Sequence, residues 1–276
     1  MNFYRDGDTL MTNILFAHKE TKGFEKQMIY KVINSNIKHF PFPHFETEEF
    51  LPKEIIEKVI AFWPSSNEFI SNLESGSIVN VDLNKAHQAS FRYQINLTTK
   101  EELARISGEN FIFWDYFTKL LTSPQVIVSF LNIFSKSIMS RLGLKDFNSL
   151  FDNYNIMPKL QLLHDRTNYF LGPHTDNPGK LVVFLIYFDS DEDSGKSNPM
   201  GTSVYVPVKE GFKCEKGVHH KHDDFFKVFS ASFKKNNIFS FCRTNNSFHG
   251  VEKVQERPIE RKLLQYSIYY GLKNKS

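Results

Sequence analysis

Cysteine, long apolar runs and concentrated positive charge are all scarce in this sequence. Two of the 276 residues are cysteines, Cys214 and Cys242, too few for a secreted domain held by several disulfides, so a reducing, cytoplasmic setting is expected. The opening stretch MNFYRDGDTLMTNILFAHKE lacks the basic start and apolar run of a signal peptide. No apolar run approaches the roughly 18 residues of a membrane-spanning helix. The net charge is +3 without a long Lys/Arg run, so nucleic acid is not an expected partner.

Phenylalanine, in contrast, is abundant, and helical patterns dominate the first 150 residues. The 28 phenylalanines predict a large aromatic core. Residues 1–40 are predicted as a short strand-rich lead-in. The next segment has a helical apolar face formed by Ile55, Ile56, Val59, Ile60 and Trp63. The predicted helix starts are Pro52, a pair resembling a capping box (Thr99 and Glu102), and Ser123–Pro124, with Gly143 ending the third helix.

Short strand patterns replace the helical ones after about residue 155. The segments are MPKLQLLHD, KLVVFLIYF, GTSVYVPV, NNIFSFCR and RKLLQYSIYY, separated by turn-forming residues. A continuous apolar run suits a strand that is buried on both faces. Helices followed by strands predict an α+β fold. We expect a single domain over residues 1–276, with residues 1–150 as a mainly helical support and residues 151–276 as the β-core.

A His-x-Asp motif stands directly before the longest apolar run. His174 and Asp176 are two residues apart, so on an extended segment their side chains point to the same side. A polar pair at the mouth of a buried strand is costly unless it binds something. His249, in NSFHGVEKV, offers a third ligand. Two histidines and one carboxylate form the facial triad of non-heme Fe(II) oxygenases, which leaves coordination positions open for substrates. These three residues therefore predict an iron site.

An arginine follows His249 by twelve residues, at the start of RKLLQYSIYY. The guanidinium fork of Arg261 suits a bidentate contact with a carboxylate. The four elements in this order resemble the 2-oxoglutarate-dependent oxygenase superfamily over residues 155–272. The segment LQLLHDRTNYFLGPHTD, with an LQ-x-L strand before the His-x-Asp motif, is most similar to the prolyl-4-hydroxylase-like branch. More loosely, PFPHFETEEFLP resembles the lead-in of bacterial members.

This resemblance implies a double-stranded β-helix core and a dioxygenase reaction. Fe(II) would be held by His174, Asp176 and His249, 2-oxoglutarate would chelate the metal and meet Arg261, and O2 would be the second cosubstrate. The products would be succinate, CO2 and a substrate hydroxylated at an unactivated C–H bond. A small-molecule substrate is favoured. The basic position is often lysine in prolyl hydroxylases and is arginine here, so proline is not implied as the substrate.

Two positions beside the motif depart from the family pattern or extend it. Prolyl hydroxylases often carry a tyrosine nine residues before the first metal histidine, and that place is Asp165 here. Because an acid would repel a dicarboxylate, we expect Asp165 to turn away, to pair with Arg166, or to leave the cosubstrate to another residue. Ser203, in GTSVY, lies near where relatives place a hydroxyl and is a candidate for a second cosubstrate contact.

Other interpretations stay open at this point. The segment VHHKHDDFF is a second candidate for a metal site, because clustered histidines can bind metal. Adjacent histidines on a strand point to opposite faces and do not easily share one ion. The interpretation of this segment as a polar loop over the mouth of the site is therefore favoured. The residues of that cluster are His219, His220, His222, Asp223 and Asp224. Arg166, Asn168 and Tyr169 either face a substrate or form a solvated turn, and residues 189–222 are a candidate lid. The alternative functions are a non-catalytic, cupin-like metal-binding β-barrel and an oxygenase that acts on a protein side chain.

Overall fold

Eleven strands and seven α-helices make up the described part of the chain. The computed structural model describes residues 18–72, 74–75, 91–188, 200–215, 217–253 and 260–273. The strands are β1 (His44–Thr47), β2 (Ile70–Ser71), β3 (Arg92–Asn96), β4 (Tyr154–Arg166), β5 (Leu171–His174), β6 (Lys180–Tyr187), β7 (Ser203–Pro207), β8 (Phe225–Ser230), β9 (Ile238–Cys242), β10 (His249–Val251) and β11 (Glu260–Leu272). The helices are α1 (His18–Ile33), α2 (Lys53–Ala61), α3 (Lys100–Leu103), α4 (Gly108–Leu121), α5 (Pro124–Asn132), α6 (Ser135–Leu142) and α7 (Asn148–Asn153), and a 3-10 turn spans His222–Asp224.

Strands β4 to β11 form a double-stranded β-helix, or jelly roll. They divide into two antiparallel sheets with the strand orders β9–β6–β11–β4 and β5–β10–β7–β8. The first sheet is extended to seven strands by β1 at one edge and by β3 and β2 at the other. This topology confirms the predicted fold class. The five predicted strand segments correspond to β4, β6, β7, β9 and β11.

The large sheet is buried on both faces, which explains the uninterrupted apolar sequence of β6. Alternate residues of β6 face opposite layers because side chains alternate across a strand. Phe184 packs toward the helices, where its ring centroid lies 4.7 Å from that of Phe130 in α5. Val183 and Leu185 belong instead to the smaller apolar cluster between the two sheets. The helices thus hold one face of the sheet and leave the other face to form a site.

The helical half differs from the sequence prediction in five places. The expected strand-rich lead-in is wrong over His18–Ile33, which forms helix α1, while residues 1–17 lie outside the described residues. Pro52 precedes α2 rather than beginning it, and Thr99 makes no side-chain capping bond at the start of α3. The third predicted helix is divided into α5 and α6. Strands β1, β2 and β3 also come from the first 150 residues and were not predicted.

The start and end signals of the third predicted helix are confirmed, although the start belongs to α5 and the end to α6. Ser123 is the N-cap of α5, and its hydroxyl accepts a hydrogen bond from the Val126 amide at 3.4 Å. Pro124 occupies the first turn. Gly143 ends α6 in the left-handed conformation, with a φ of 65°, that favours glycine at this position. In the described portion of the chain, no helix is long and apolar enough to cross a membrane.

Candidate metal centre

The two sequence-predicted histidines are brought together by neighbouring strands of the smaller sheet. His174 ends β5, His249 begins β10, and the two residues face each other in the antiparallel register. Their ring centroids are 4.3 Å apart. Asp176 follows β5 by two residues, and its Oδ2 lies 3.5 Å from His249 Nε2. One ligand atom from each of the three residues lies within 4.8 Å of the others, and both histidines are buried.

The surroundings of the histidines leave the same ring atom of each available to a metal. His174 Nδ1 lies 3.0 Å from the Gly172 carbonyl oxygen, and His249 Nδ1 lies 3.0 Å from the Ser247 carbonyl oxygen. A carbonyl only accepts hydrogen bonds, so each Nδ1 is the protonated donor and each Nε2 carries a lone pair. Burial lowers the pKa of both histidines below the ordinary value, which favours the neutral form that binds metals.

Asp176 is ionised and is oriented by a lysine. Burial alone would raise the pKa of its carboxyl group, but the nearby Lys180 ammonium outweighs burial and the pKa is lowered. Lys180 Nζ donates to Asp176 Oδ1 at 2.6 Å. The carboxylate therefore directs one oxygen to Lys180 and the other toward His249. Lys180 was not singled out in the sequence, although it stands four residues after Asp176 at the start of the apolar run.

The segment that carries the motif is held by contacts with Cys214, Glu215 and Gly217. Thr175 Oγ1 donates to the Cys214 carbonyl oxygen at 2.8 Å. Arg243 bridges the two segments, because its Nε donates to the Asp176 carbonyl oxygen and its Nη2 to the Glu215 carbonyl oxygen. Gly217 has a φ of 66°, and a Cβ there would lie 3.1 Å from the Thr175 carbonyl oxygen. These backbone contacts fix the position of Asp176 relative to the strands.

The histidine-rich segment after residue 217 contributes one side chain to the site. The His219 ring lies 4.5 Å from that of His174, and burial lowers the pKa of His219 to about 4. The His220 ring points elsewhere, into an aromatic cluster with Phe225 and Phe248. The two histidine rings therefore face different surroundings. The expected polar loop does not extend through the segment, since Phe225 begins strand β8.

A cavity of ≈170 Å³ lies between the two sheets and connects the triad to Arg261. Its apolar lining includes Leu171, Val183, Leu185 and Leu263. Arg261 is the second residue of β11, and its side chain lines the cavity. Its Nε donates to the Met200 carbonyl oxygen at 2.6 Å, and its Nη1 donates to Asp165 Oδ2 at 2.7 Å. No described residue accepts a hydrogen bond from Arg261 Nη2. The cavity therefore has metal-ligand atoms at one end and an arginine at the other.

Asp165 does not pair with Arg166, as one expectation held, but with two other arginines. Arg92 grips Asp165 with Nε on Oδ1 at 2.6 Å and Nη2 on Oδ2 at 2.8 Å, and Arg261 adds a third contact. The three residues are neighbours in register across β3, β4 and β11. Burial would raise the pKa of Asp165, but the two guanidinium groups outweigh burial and lower the pKa. Two arginines and one carboxylate give this end of the cavity a net positive charge. The expected repulsion between Asp165 and a dicarboxylate is therefore offset by the arginines.

The remaining candidate residues divide between the cavity and its surroundings. The Ser203 hydroxyl lies 2.8 Å from that of Ser230, and Ser203 is not among the described residues that line the cavity. Its neighbour Thr202 does line the cavity and accepts a hydrogen bond from the Tyr187 hydroxyl.

Tyr169 also lines the cavity, with the Arg92 guanidinium 4.3 Å above its ring. Arg166 instead lies over the Tyr93 ring. The candidate lid, residues 189–222, falls outside the described residues over 189–199 and at 216.

The donor set suits the implied metal and cosubstrate. Two neutral imidazole nitrogens and one ionised carboxylate oxygen form a set that suits divalent iron and leaves other positions open. Fe(II) would be bound by Nε2 of His174, Nε2 of His249 and Oδ2 of Asp176. The Nη2 group of Arg261 would bind the distal carboxylate of 2-oxoglutarate.

Comparisons with known proteins found structural likeness and no sequence match. No family model matches the chain, and no curated protein matches it. A prolyl-4-hydroxylase of Pseudomonas putida is 10% identical, with a TM-score of 0.42, covering 89% of this chain and 98% of that one. The viral collagen prolyl hydroxylase of Paramecium bursaria Chlorella virus-1 is 13% identical, with a TM-score of 0.38, covering 82% and 94%. The Arabidopsis thaliana dioxygenase for auxin oxidation 1 is 8% identical, with a TM-score of 0.44, covering 91% and 90%.

Proposed function

We propose that this protein is an Fe(II)- and 2-oxoglutarate-dependent dioxygenase that hydroxylates an unactivated C–H bond of a small molecule. The observation that carries the proposal is the convergence of His174, Asp176 and His249 on one end of a cavity that has Arg261 at its other end. A protein that only stores or binds a metal has no need of an arginine facing the same enclosed space.

The roles of the side chains follow from their contacts. His174 and His249 bind the metal through Nε2, because the Nδ1 atoms are committed to backbone carbonyls. Asp176 supplies one oxygen and one negative charge. Arg261 orients the cosubstrate by holding its distal carboxylate, and Asp165 in turn holds Arg261. The bound metal with its cosubstrate supplies the activation of O2, with release of succinate and CO2, that side chains alone do not provide.

The apolar lining protects this chemistry. Val183, Leu185 and Leu263 are buried residues of adjacent strands and line the cavity. They limit the access of water to the reacting centre and strengthen the electrostatic contacts made there, because the local dielectric constant is low.

The test is the formation of succinate from 2-oxoglutarate by protein loaded with Fe(II) under anaerobic conditions and then exposed to air, with a panel of candidate substrates. We expect formation to require iron, O2 and an accepted substrate, and to disappear in His174→Ala and His249→Ala variants that keep the far-UV circular dichroism of the wild type. Metal binding without succinate formation across the panel would support the cupin-like alternative. Activity on peptides alone would support a protein side chain as the substrate.

A further inference from the structure

The metal end of the cavity also carries a cation, Lys180, to which the proposed function assigns no ligand. Lys180 lies at the start of β6, faces Tyr269 in register, and has a side chain that is 9% exposed. Arg261 lies eight residues before Tyr269 on β11, so the two cations enter the cavity from different positions along the sheet. A five-carbon dicarboxylate that chelates the metal and reaches Arg261 has no carboxylate left for Lys180.

The ammonium group of Lys180 has unused hydrogen-bonding capacity. It carries three N–H donors, and Asp176 Oδ1 accepts one of them at 2.6 Å. Across the described ranges, no other side chain or carbonyl accepts a hydrogen bond from the Lys180 ammonium group. The Tyr269 ring lies nearby, with its centroid 5.9 Å from Nζ. Lys180 lines the cavity, so the remaining donors are available to a bound molecule.

The charges around the cavity also point to an anion. Among the charged residues that line the cavity, Arg92, Lys180 and Arg261 are cations and Asp176 is a carboxylate, and Asp165 pairs with the two arginines. Three positive charges against two negative ones leave one positive charge. A divalent metal adds two positive charges and a 2-oxoglutarate dianion removes two, so the single excess remains in the loaded site. An uncompensated charge in a buried site is costly, and a singly charged anion would neutralise it.

We propose that the substrate is a small organic monoanion, in the first instance a monocarboxylic acid, and that Lys180 binds its carboxylate. This inference rests on the proposed function and specifies its substrate class. The carboxylate would bind the free N–H groups of Lys180 beside the metal, while the contact from Lys180 to Asp176 remains. Specificity then lies at the Lys180 end of the cavity and cosubstrate binding at the Arg261 end.

The experiment compares carboxylic acids with their primary amides, which have nearly the same shape and no charge. Acetate, butyrate, benzoate and phenylacetate are each titrated with the matching amide against protein loaded with Co(II) and saturated with 2-oxoglutarate. Binding is read from the paramagnetic broadening of the probe's proton resonances, with Zn(II)-loaded protein as the diamagnetic reference. For the acids that bind, we expect dissociation constants roughly tenfold to hundredfold below those of the amides, as for other charge-assisted contacts.

Variants of Lys180 identify the partner of the carboxylate. Lys180→Gln keeps a donor toward Asp176 but removes the charge, so we expect it to abolish the preference for acids, whereas Lys180→Arg should retain it. Lys262→Met is the matched control, because Lys262 lies on β11 and its ammonium pairs with Glu260 rather than lining the cavity. An unchanged acid preference in Lys180→Gln would overturn the inference and reduce Lys180 to a residue that orients Asp176.

The wild-type titration separates failure of this inference from failure of the proposed function. If metal-loaded wild type does not bind 2-oxoglutarate, the proposed function is wrong. If it binds 2-oxoglutarate but no acid in the panel binds more tightly than its amide, only the assignment of an anionic substrate is wrong. Broadening that persists when excess 2-oxoglutarate is added shows that the acid does not occupy the cosubstrate position.

Discussion

At the residue scale, Asp165 is the side chain whose role the sequence pattern obscured most. In the family pattern its place belongs to a tyrosine that contacts the cosubstrate, and an acid there looked unfavourable. The missing information was the partner, because Arg92 lies 73 residues earlier in the chain and becomes its neighbour only through the pairing of β3 with β4. The metal ligands were predictable, since their residue types and spacing are themselves the chemical requirement.

Replacing Asp165 by asparagine should strongly destabilise the fold. The substitution keeps the shape but leaves Arg92 and Arg261 buried without their counter-charge, so we expect a loss of about 3–5 kcal/mol in the free energy of unfolding. Urea unfolding near neutral pH measures it. Asp115→Asn is the control, because Asp115 pairs with Lys119 on an exposed helix surface and should cost only about 0.3–0.5 kcal/mol. Equal effects of the two substitutions would contradict the importance of the buried cluster.

The same carboxylate predicts a pH dependence. The pKa of Asp165 is lower in the folded protein than in the unfolded chain, so its stabilising contribution is fully present above the unfolded value. That contribution is lost as the pH falls through the unfolded pKa toward the lower folded one. The free energy of unfolding of wild type should therefore fall more steeply on acidification than that of Asp165→Asn. Parallel curves for the two proteins below about pH 4 would rule out this source of acid sensitivity.

Arg261 should matter more for cosubstrate binding than for metal binding. Arg261→Ala removes a charge-assisted contact worth about 1.5–3 kcal/mol, so we expect the dissociation constant of 2-oxoglutarate to rise roughly tenfold to hundredfold at saturating metal. Calorimetric titration measures both ligands. Arg166→Ala is the matched control, because Arg166 faces Glu260 in register and stacks on Tyr93 outside the cavity. An unchanged cosubstrate affinity in Arg261→Ala would place the carboxylate contact on another residue.

At the scale of elements, the pairing of β5 with β10 is what assembles the metal site. Gly250 follows His249 where the register between β10 and β5 is irregular, and a Cβ there would lie 2.3 Å from the Leu171 carbonyl oxygen. Gly250→Ala should push β5 away and separate His174 from His249. We expect metal affinity to fall by at least about tenfold, measured by equilibrium dialysis with Mn(II), with a smaller loss of overall stability.

The control for Gly250→Ala is Gly23→Ala in helix α1, where an added Cβ meets no atom within 4 Å. Alanine favours a helix over glycine by about 1 kcal/mol, so this variant should be slightly more stable and bind metal as wild type does. Wild-type metal affinity in Gly250→Ala would mean that the strands adjust without moving the ligands.

Helices and strands were predictable from the sequence where local residue patterns determine them. They were not predictable where they depend on pairing with strands that are distant in the chain. The apolar run of β6 and the cap of α5 by Ser123 are local signals, and both were confirmed. β1 and β3 are short strands whose buried positions depend on β9 and β4, far away in the chain. Helix α1 was missed because its described side chains show a weak apolar stripe, with Met28 and Val32 the buried apolar residues.

At the scale of the whole molecule, residues from both halves of the chain meet in one cavity. The later strands supply the metal ligands and Arg261, and β3 from the earlier half supplies Arg92, which anchors Asp165. The central claim is that this cavity binds a divalent metal and 2-oxoglutarate together. Two ligands that bind to one site in direct contact must change each other's affinity by the same factor, and chelation of the metal by the cosubstrate makes that change favourable.

The most direct test is a calorimetric titration of 2-oxoglutarate into the protein with and without Fe(II), under anaerobic conditions. We expect the metal to tighten 2-oxoglutarate binding by at least about tenfold, 2-oxoglutarate to tighten Fe(II) binding by the same factor, and both effects to vanish in His249→Ala. Equal binding of 2-oxoglutarate with and without metal, or no binding to the metal-loaded protein, would contradict a shared site.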